Sequence, residues 1–141
     1  MKILSLDPGG TTGVAFISFD DEGIELTKVE QVKGGLEGFI AWYLELDTPI
    51  DIIVCESFTL RPGVHGAELS PTYVIGALEA LARGKAIVYQ EPKLKPLCDD
   101  ARLKKMGFYQ TGLRHANDAV RHGIIYLRNK KHMPTLEKGW R

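Results

Sequence analysis

Leu4-Ser5-Leu6-Asp7-Pro8-Gly9-Gly10-Thr11-Thr12-Gly13-Val14-Ala15-Phe16 decides how the rest of this sequence is read. An apolar run, Ile3 to Leu6, ends in one carboxylate, Asp7. A Pro-Gly-Gly-Thr-Thr-Gly segment then returns the chain into a second apolar run, Val14 to Ile17. The pattern predicts two strands joined by a reversal, with the acid at its mouth. Pro8 fixes one backbone angle, and Gly9, Gly10 and Gly13 tolerate positive φ or a close approach by a ligand's backbone. Taken alone, the stretch equally describes an ordinary hairpin whose Asp starts a solvated turn. The positions of the other acids separate the two readings.

Working outward, Ile24 to Val32 alternates as a third antiparallel strand, and Gly34-Gly35 breaks it. Leu36, Phe39, Ile40, Tyr43 and Leu44 recur at helical spacing, predicting a helix that stops near Thr48-Pro49. Ile50 to Cys55 is almost continuously apolar, as a strand buried on both faces should be, and it ends in Glu56. Phe58 to Leu69 reads as a loop. Ser70 reads as a helix N-cap with Pro71 at the first helical position, the helix running to about Arg83 before Gly84. Lys85 to Gln90 is a fifth strand, Leu97 to Met106 a short helix, His115 to Asn129 a last helix, and residues 130–141 a polar tail.

The 141 residues, 44% apolar and 26% charged, fit one domain. No apolar run approaches the ~20 residues of a membrane span, and the first residues do not read as a secretory signal. Cys55 and Cys98 have neither disulfide-framework nor metal-type spacing, which fits free thiols in a reducing cytoplasm. The net charge of zero hides a division. Residues 1–60 hold 11 Asp and Glu against 3 Lys and Arg, whereas residues 61–141 hold 7 against 15. An acidic half joined to a basic half points to a cation-attracting centre beside an anion-binding surface.

His115-Ala116-Asn117-Asp118 opens the last helix, and residues at i and i+3 share one helical face. His115, Asp118 and His122 fall on the same flank. If Asp7, Glu56 and Asp118 converge, their repulsion, roughly 4 kcal/mol per pair at 4 Å and an effective dielectric near 20, requires cations or protons among them. Hard oxygen ligands with one imidazole suit Mg²⁺ or Mn²⁺. Two such ions can activate water and stabilise a departing 3′ oxygen in phosphodiester hydrolysis.

Three strands, a helix, a strand, a helix, a strand and a final helix is an order that resembles the ribonuclease H-like fold, an α/β architecture with a five-stranded mixed sheet flanked by helices. LSLDPGGTTGVA, IIVCES and HANDAVRHGIIYL, in that order and spacing, resemble the RuvC-type Holliday-junction resolvases, especially their short phage-like members. The resemblance implies Asp7, Glu56, His115 and Asp118 as the catalytic and metal-binding set. It also implies Mg²⁺ or Mn²⁺ as cofactor, two ions per site, and branched DNA as substrate, in the cytoplasm of a bacterium or of a phage-infected cell. An aromatic residue soon after the Glu, here Phe58, is implied to contact opened bases.

The helix Pro71 to Arg83 carries an apolar arc about twice the ~100° stripe of a one-sided helix, which a homodimer would cover; a helix packed between sheet and loop is the other use of it. Arg61, Lys93, Lys95, Arg102, Lys104 and Lys105 are the expected DNA-binding cations. Two other functions remain open from sequence. One is a related nuclease acting on RNA. The other is a nucleotide- or phosphate-binding domain of the actin-like ATPase type, because Asp7 to Gly13 also resembles the phosphate loop of those proteins.

Overall fold

The computed structural model describes residues 1–59 and 68–141. Arg61 and most of the Phe58 to Leu69 loop lie outside the described residues. The strands are β1 (Lys2–Asp7), β2 (Thr11–Phe19), β3 (Ile24–Lys33), β4 (Ile52–Glu56) and β5 (Ala86–Gln90), in the sheet order β3-β2-β1-β4-β5. The helices are α1 (Gly35–Leu44), α2 (Ser70–Leu81), α3 (Asp100–Met106), α4 (Arg114–Asn129) and α5 (Met133–Trp140), with a 3₁₀ segment at Pro92–Cys98. β1 runs antiparallel to β2 and parallel to β4, and β5 extends the parallel half. The stretch quoted at the outset therefore forms the middle of the sheet.

Strand side chains alternate between the two faces, so each strand feeds two cores. On one face Leu4, Leu6, Val14, Phe16, Ile53 and Cys55 pack with Phe39 of α1 and with Val74 and Leu78 of α2. On the other, Ile3, Ala15, Ile17 and Val54 meet Leu103 and Met106 of α3 and Ala119, Val120, Ile124 and Leu127 of α4. Burial on both faces explains why Ile52 to Cys55 reads as an unbroken apolar run.

Several boundaries differ from the sequence reading. Gly9, Gly10 and Gly13 do not adopt positive φ; Gly34 does (φ 95°), at the break before α1. α1 ends at Leu44, ahead of Thr48-Pro49, because the amides of Glu45 and Leu46 fold back onto the carbonyls of Trp42 and Tyr43. Ser70 is not the cap of α2. Leu69 holds that position, and the amide and hydroxyl of Ser70 both donate to the Glu68 carboxylate (2.8 and 2.5 Å). α2 stops at Leu81, so Arg83 lies beyond it.

The helix expected over Leu97 to Met106 is two pieces. Backbone extended at Asp99 separates them, and the Asp99 carboxylate caps α3 by accepting from the Arg102 amide (2.9 Å). The expected polar tail is in fact α5. It is held by the Arg102 guanidinium 4.4 Å over the Trp140 ring, and by Gly139, where a Cβ would stand 2.9 Å from the Met106 sulfur. Long-range packing of this kind leaves little trace in a segment only eight residues long. Among the described residues, no helix is long and apolar enough to cross a membrane.

Candidate active site

Alternation along β1 puts Ile3, Ser5 and Asp7 on one face of the sheet, and alternation along β4 puts Ile52, Val54 and Glu56 on that same face. The two strands are parallel and pair Leu6 with Cys55, so Asp7 and Glu56 end side by side at one edge. α4 covers this face. Two glycines let it lie close: a Cβ on Gly13 would stand 1.8 Å from the His115 carbonyl oxygen, and one on Gly123 would stand 2.4 Å from Ile17 Cδ1. The close approach that Gly13 tolerates is therefore made by the chain's own helix. Between them the Ser5 hydroxyl donates to the Ala119 carbonyl (2.5 Å).

The first turn of α4 lacks a local cap. Gln31 of β3, paired with Gly13 across the sheet, supplies one. Its side-chain oxygen accepts from the amides of His115 (3.1 Å) and Ala116 (3.3 Å), the second and third positions of the helix, which otherwise go unsatisfied. Asn117 anchors the incoming loop through two 2.8 Å bonds to the backbone of Gln110. His115 and Asp118 thus stand at fixed positions beside Asp7 and Glu56.

Asp7, Glu56, His115 and Asp118 line one cleft of about 430 Å³, together with Lys95, Arg114, Glu68 and the Pro8–Thr11 turn. Asp7 Oδ2 lies 3.4 Å from His115 Nδ1. Glu56 Oε2 lies 3.0 Å from Nε2 of His122, whose Nδ1 is 2.8 Å from Gln90 Oε1 in the fully buried interior. Lys95 Nζ sits between the other two acids, 3.5 Å from Glu56 Oε1 and 3.4 Å from Asp118 Oδ2. Asp118 Oδ1 accepts from Arg121 Nε (3.1 Å), and Arg121 also donates to the Cys98 carbonyl (3.1 Å) and to Asp100.

These surroundings divide the acids. Burial pushes the Asp7 carboxyl up to about 8, and the negative charges of Glu56 and Asp118 add to it. Burial also acts to raise Glu56, but the hydrogen bond and charge of His122, the hydrogen bond with Asp7 and the charge of Lys95 outweigh it and hold Glu56 below its ordinary value. Burial acts to lower Lys95, yet Glu56, Asp118 and Asp7 keep its ammonium above the usual value.

Each predicted acid and His115 reaches the cleft. His122, one turn beyond Asp118, does not open into it and instead braces Glu56 from within. Phe58 is half-buried and lines an adjoining cleft of about 260 Å³ with Glu56, Pro8, Pro71 and Pro92. The expected DNA-binding cations separate. Lys93 is exposed and pairs with Glu91 (2.8 Å), and Lys104 lies 4.7 Å over the Tyr109 ring. Lys105 donates to the Arg141 carbonyl (2.6 Å), and Arg102 is committed to α5. Arg121 escaped the sequence reading although its i, i+3 spacing from Asp118 was the available signal. Gln31 and Gln90 carry no local signal, since their partners lie 84 and 32 residues away.

Among the described residues, no group of three or more His, Cys, Asp or Glu is arranged to hold a metal ion as it stands. The donor set nonetheless fits a hard divalent cation: three carboxylates and an imidazole around one cleft, with an ammonium ion drawn between two of them.

No protein-family model and no curated protein matches the sequence. Among solved structures the fold is similar to T. thermophilus RuvC in complex with Holliday junction substrate, with a TM-score of 0.73 at 15% identity, over 95% of this chain and 97% of that one. The fold is ribonuclease H-like.

Proposed function

We propose that this protein is a divalent-metal-dependent endonuclease that nicks four-way or other branched DNA. One observation carries the reading: the two central parallel strands of a ribonuclease H-like sheet end in Asp7 and Glu56 on the same face, and α4 brings His115 and Asp118 into the same cleft. The likeness to a resolvase fold bound to a Holliday junction agrees with it. An acid-lined cleft is also a poor seat for an uncompensated nucleotide phosphate, which weighs against the phosphate-loop alternative.

In this reading Asp7, Glu56, Asp118 and His115 hold Mg²⁺ or Mn²⁺, two ions per site. Bound there, such ions would ease deprotonation of an attacking water and would offset the negative charge that develops as the 3′ oxygen leaves. The chain's own residues prepare that chemistry. The Gln31 cap and the Gly13 contact set where α4 begins, which fixes His115 and Asp118 against the sheet. His122 and Arg121 each hold one oxygen of Glu56 and Asp118, so that the other faces the cleft. Asp7 gives up the proton it holds to reach the ligand form. Lys93 and Lys104, both exposed, take phosphates of the entering strand.

Leu69 and Tyr73 remain exposed on and beside α2, while Val74 and Leu78 are spent on the core. In this proposal the exposed residues form the contact of a homodimer that presents two sites to the two equivalent strands of a junction. The setting is the cytoplasm of a bacterium or of a phage-infected cell.

The test is purified protein with Mg²⁺ and labelled four-way junction, linear duplex and RNA–DNA hybrid in parallel. Nicking of the junction in preference to the other two is expected. Preference for the hybrid would move the protein to the RNA-acting nucleases, and nucleotide binding without nicking would favour the phosphate-loop reading.

A further inference from the structure

Glu56 and Asp118 are held in the same way. Each has one oxygen tied back to a basic side chain of α4, Glu56 Oε2 to His122 and Asp118 Oδ1 to Arg121. The oxygens left over, Glu56 Oε1 and Asp118 Oδ2, face one point, and Lys95 Nζ occupies it at 3.5 and 3.4 Å. The tie-backs are firm. His122 is fully buried and is itself held by Gln90, and the Arg121 side chain is 11% exposed and anchored on Cys98 and Asp100. Lys95 is differently placed. It comes from the 3₁₀ segment between β5 and α3, its side chain is 29% exposed, and these carboxylates are its partners.

We propose that Lys95 is a built-in counter-cation: its ammonium occupies the position between Glu56 Oε1 and Asp118 Oδ2, and a divalent metal ion must displace it to bind there. The proposal rests on the metal-site reading above. Two carboxylates turned toward one point in a part-buried cleft repel each other, and a tethered ammonium relieves that repulsion when no metal is present. Arg121 and His122 keep the two facing oxygens in place whichever cation lies between them. On displacement the ammonium has only to swing outward to reach solvent at the mouth of the cleft, where a phosphate of the bound strand would pass. Metal binding and phosphate binding are thereby linked through one side chain. A lysine serving only as a DNA contact would have no reason to sit between two acids in the free protein.

Mn²⁺ binding to DNA-free protein, followed by electron paramagnetic resonance, tests this without reference to cleavage. Wild type, Lys95→Met and Lys95→Gln are compared, with Glu56→Gln as the control for the site. Lys95→Met and Lys95→Gln should each bind Mn²⁺ about tenfold or more tightly than wild type, since the competing charge is gone. Without metal Lys95→Met should melt below wild type, and saturating Mn²⁺ should close the gap. Affinity unchanged or weakened in both Lys95 variants, while Glu56→Gln abolishes binding, overturns the counter-cation and leaves the metal-site reading standing. Absence of Mn²⁺ binding in wild type and in both Lys95 variants overturns both.

Discussion

The carbonyl oxygen of His115 lies 1.8 Å from the point where a Cβ on Gly13 would stand. A residue in the hairpin that carries Asp7 thus sets how closely the helix that carries His115 and Asp118 can approach. The missing side chain is part of the site's construction.

Gly13→Ala should therefore push the start of α4 off the sheet. The obstructing atoms are backbone, which cannot rotate away, so the cost belongs at or above the upper end of the 1–3 kcal/mol typical of overpacking. Chemical denaturation should show the loss of stability. Cleavage should fall further than the folded fraction does, because Asp118 and His115 move relative to Asp7 and Glu56. Gly23, in the turn before β3 and away from the cleft, where a Cβ would meet nothing within 4 Å, should accept Ala with little change in either measurement.

Asp7 makes the metal-free protein sensitive to pH in the direction opposite to an ordinary salt-bridged acid. Its folded value of about 8 lies above the 3.8 of the free side chain. Between those two values the unfolded chain has released the Asp7 proton while the folded chain keeps it. The folded state then binds more protons, so stability falls as pH rises from about 4 toward 8. Thermal melts in EDTA should show wild type weakening over this range, and Asp7→Asn should be more stable than wild type at pH 8 by a margin that shrinks toward pH 4. Mg²⁺ should restore wild type most strongly at the alkaline end, where the carboxylate is available to a cation. An equal response to Mg²⁺ in wild type and Asp7→Asn would remove Asp7 from the metal set.

Much of this arrangement was legible in the sequence because it is written in local periods. Alternation of two places Asp7 and Glu56 at strand ends, and helical spacing places His115 and Asp118 on one flank. What was not legible depends on contacts across the fold. Lys95 reads as one more basic residue of the second half until the 3₁₀ segment carries it between two acids. Gln31 reads as a strand polar residue until α4 is laid beside it. α5 is eight residues long and carries Gly139 near its end, so apart from Pro134 in its first turn little local marks it, and Arg102 and Met106 must be in place before it has anything to pack on.

The basic residues should now divide by experiment as they do by position. Replacing Lys93 and Lys104 together with Ala should weaken junction binding and reduce the salt dependence of binding by about one unit of slope per lost phosphate contact. Arg102→Ala should act mainly on stability, by about 1–2 kcal/mol from the lost contact with Trp140 and the desolvated Gly139 carbonyl. An unchanged salt slope in the Lys93 and Lys104 double variant would place the DNA path elsewhere on the surface.

Phe58, half-buried beside Glu56, should stack on a base opened near the cut, a contact worth about 1–3 kcal/mol. Phe58→Ala should then slow cleavage of a fully paired junction far more than cleavage of one already unpaired at its centre, with melting temperature nearly unchanged. Equal slowing of both substrates with a stability loss of about 3–5 kcal/mol would make Phe58 a core residue instead.

The most direct test of the central claim is to measure junction binding and Mg²⁺-dependent nicking side by side for Asp7→Asn, Glu56→Gln and Asp118→Asn. If these acids hold the metal, each substitution abolishes nicking while junction binding is kept or tightened, since removing negative charge from the cleft does not repel phosphate. Binding and nicking lost together in all three would contradict the account, and would make them acids of the fold rather than of the chemistry.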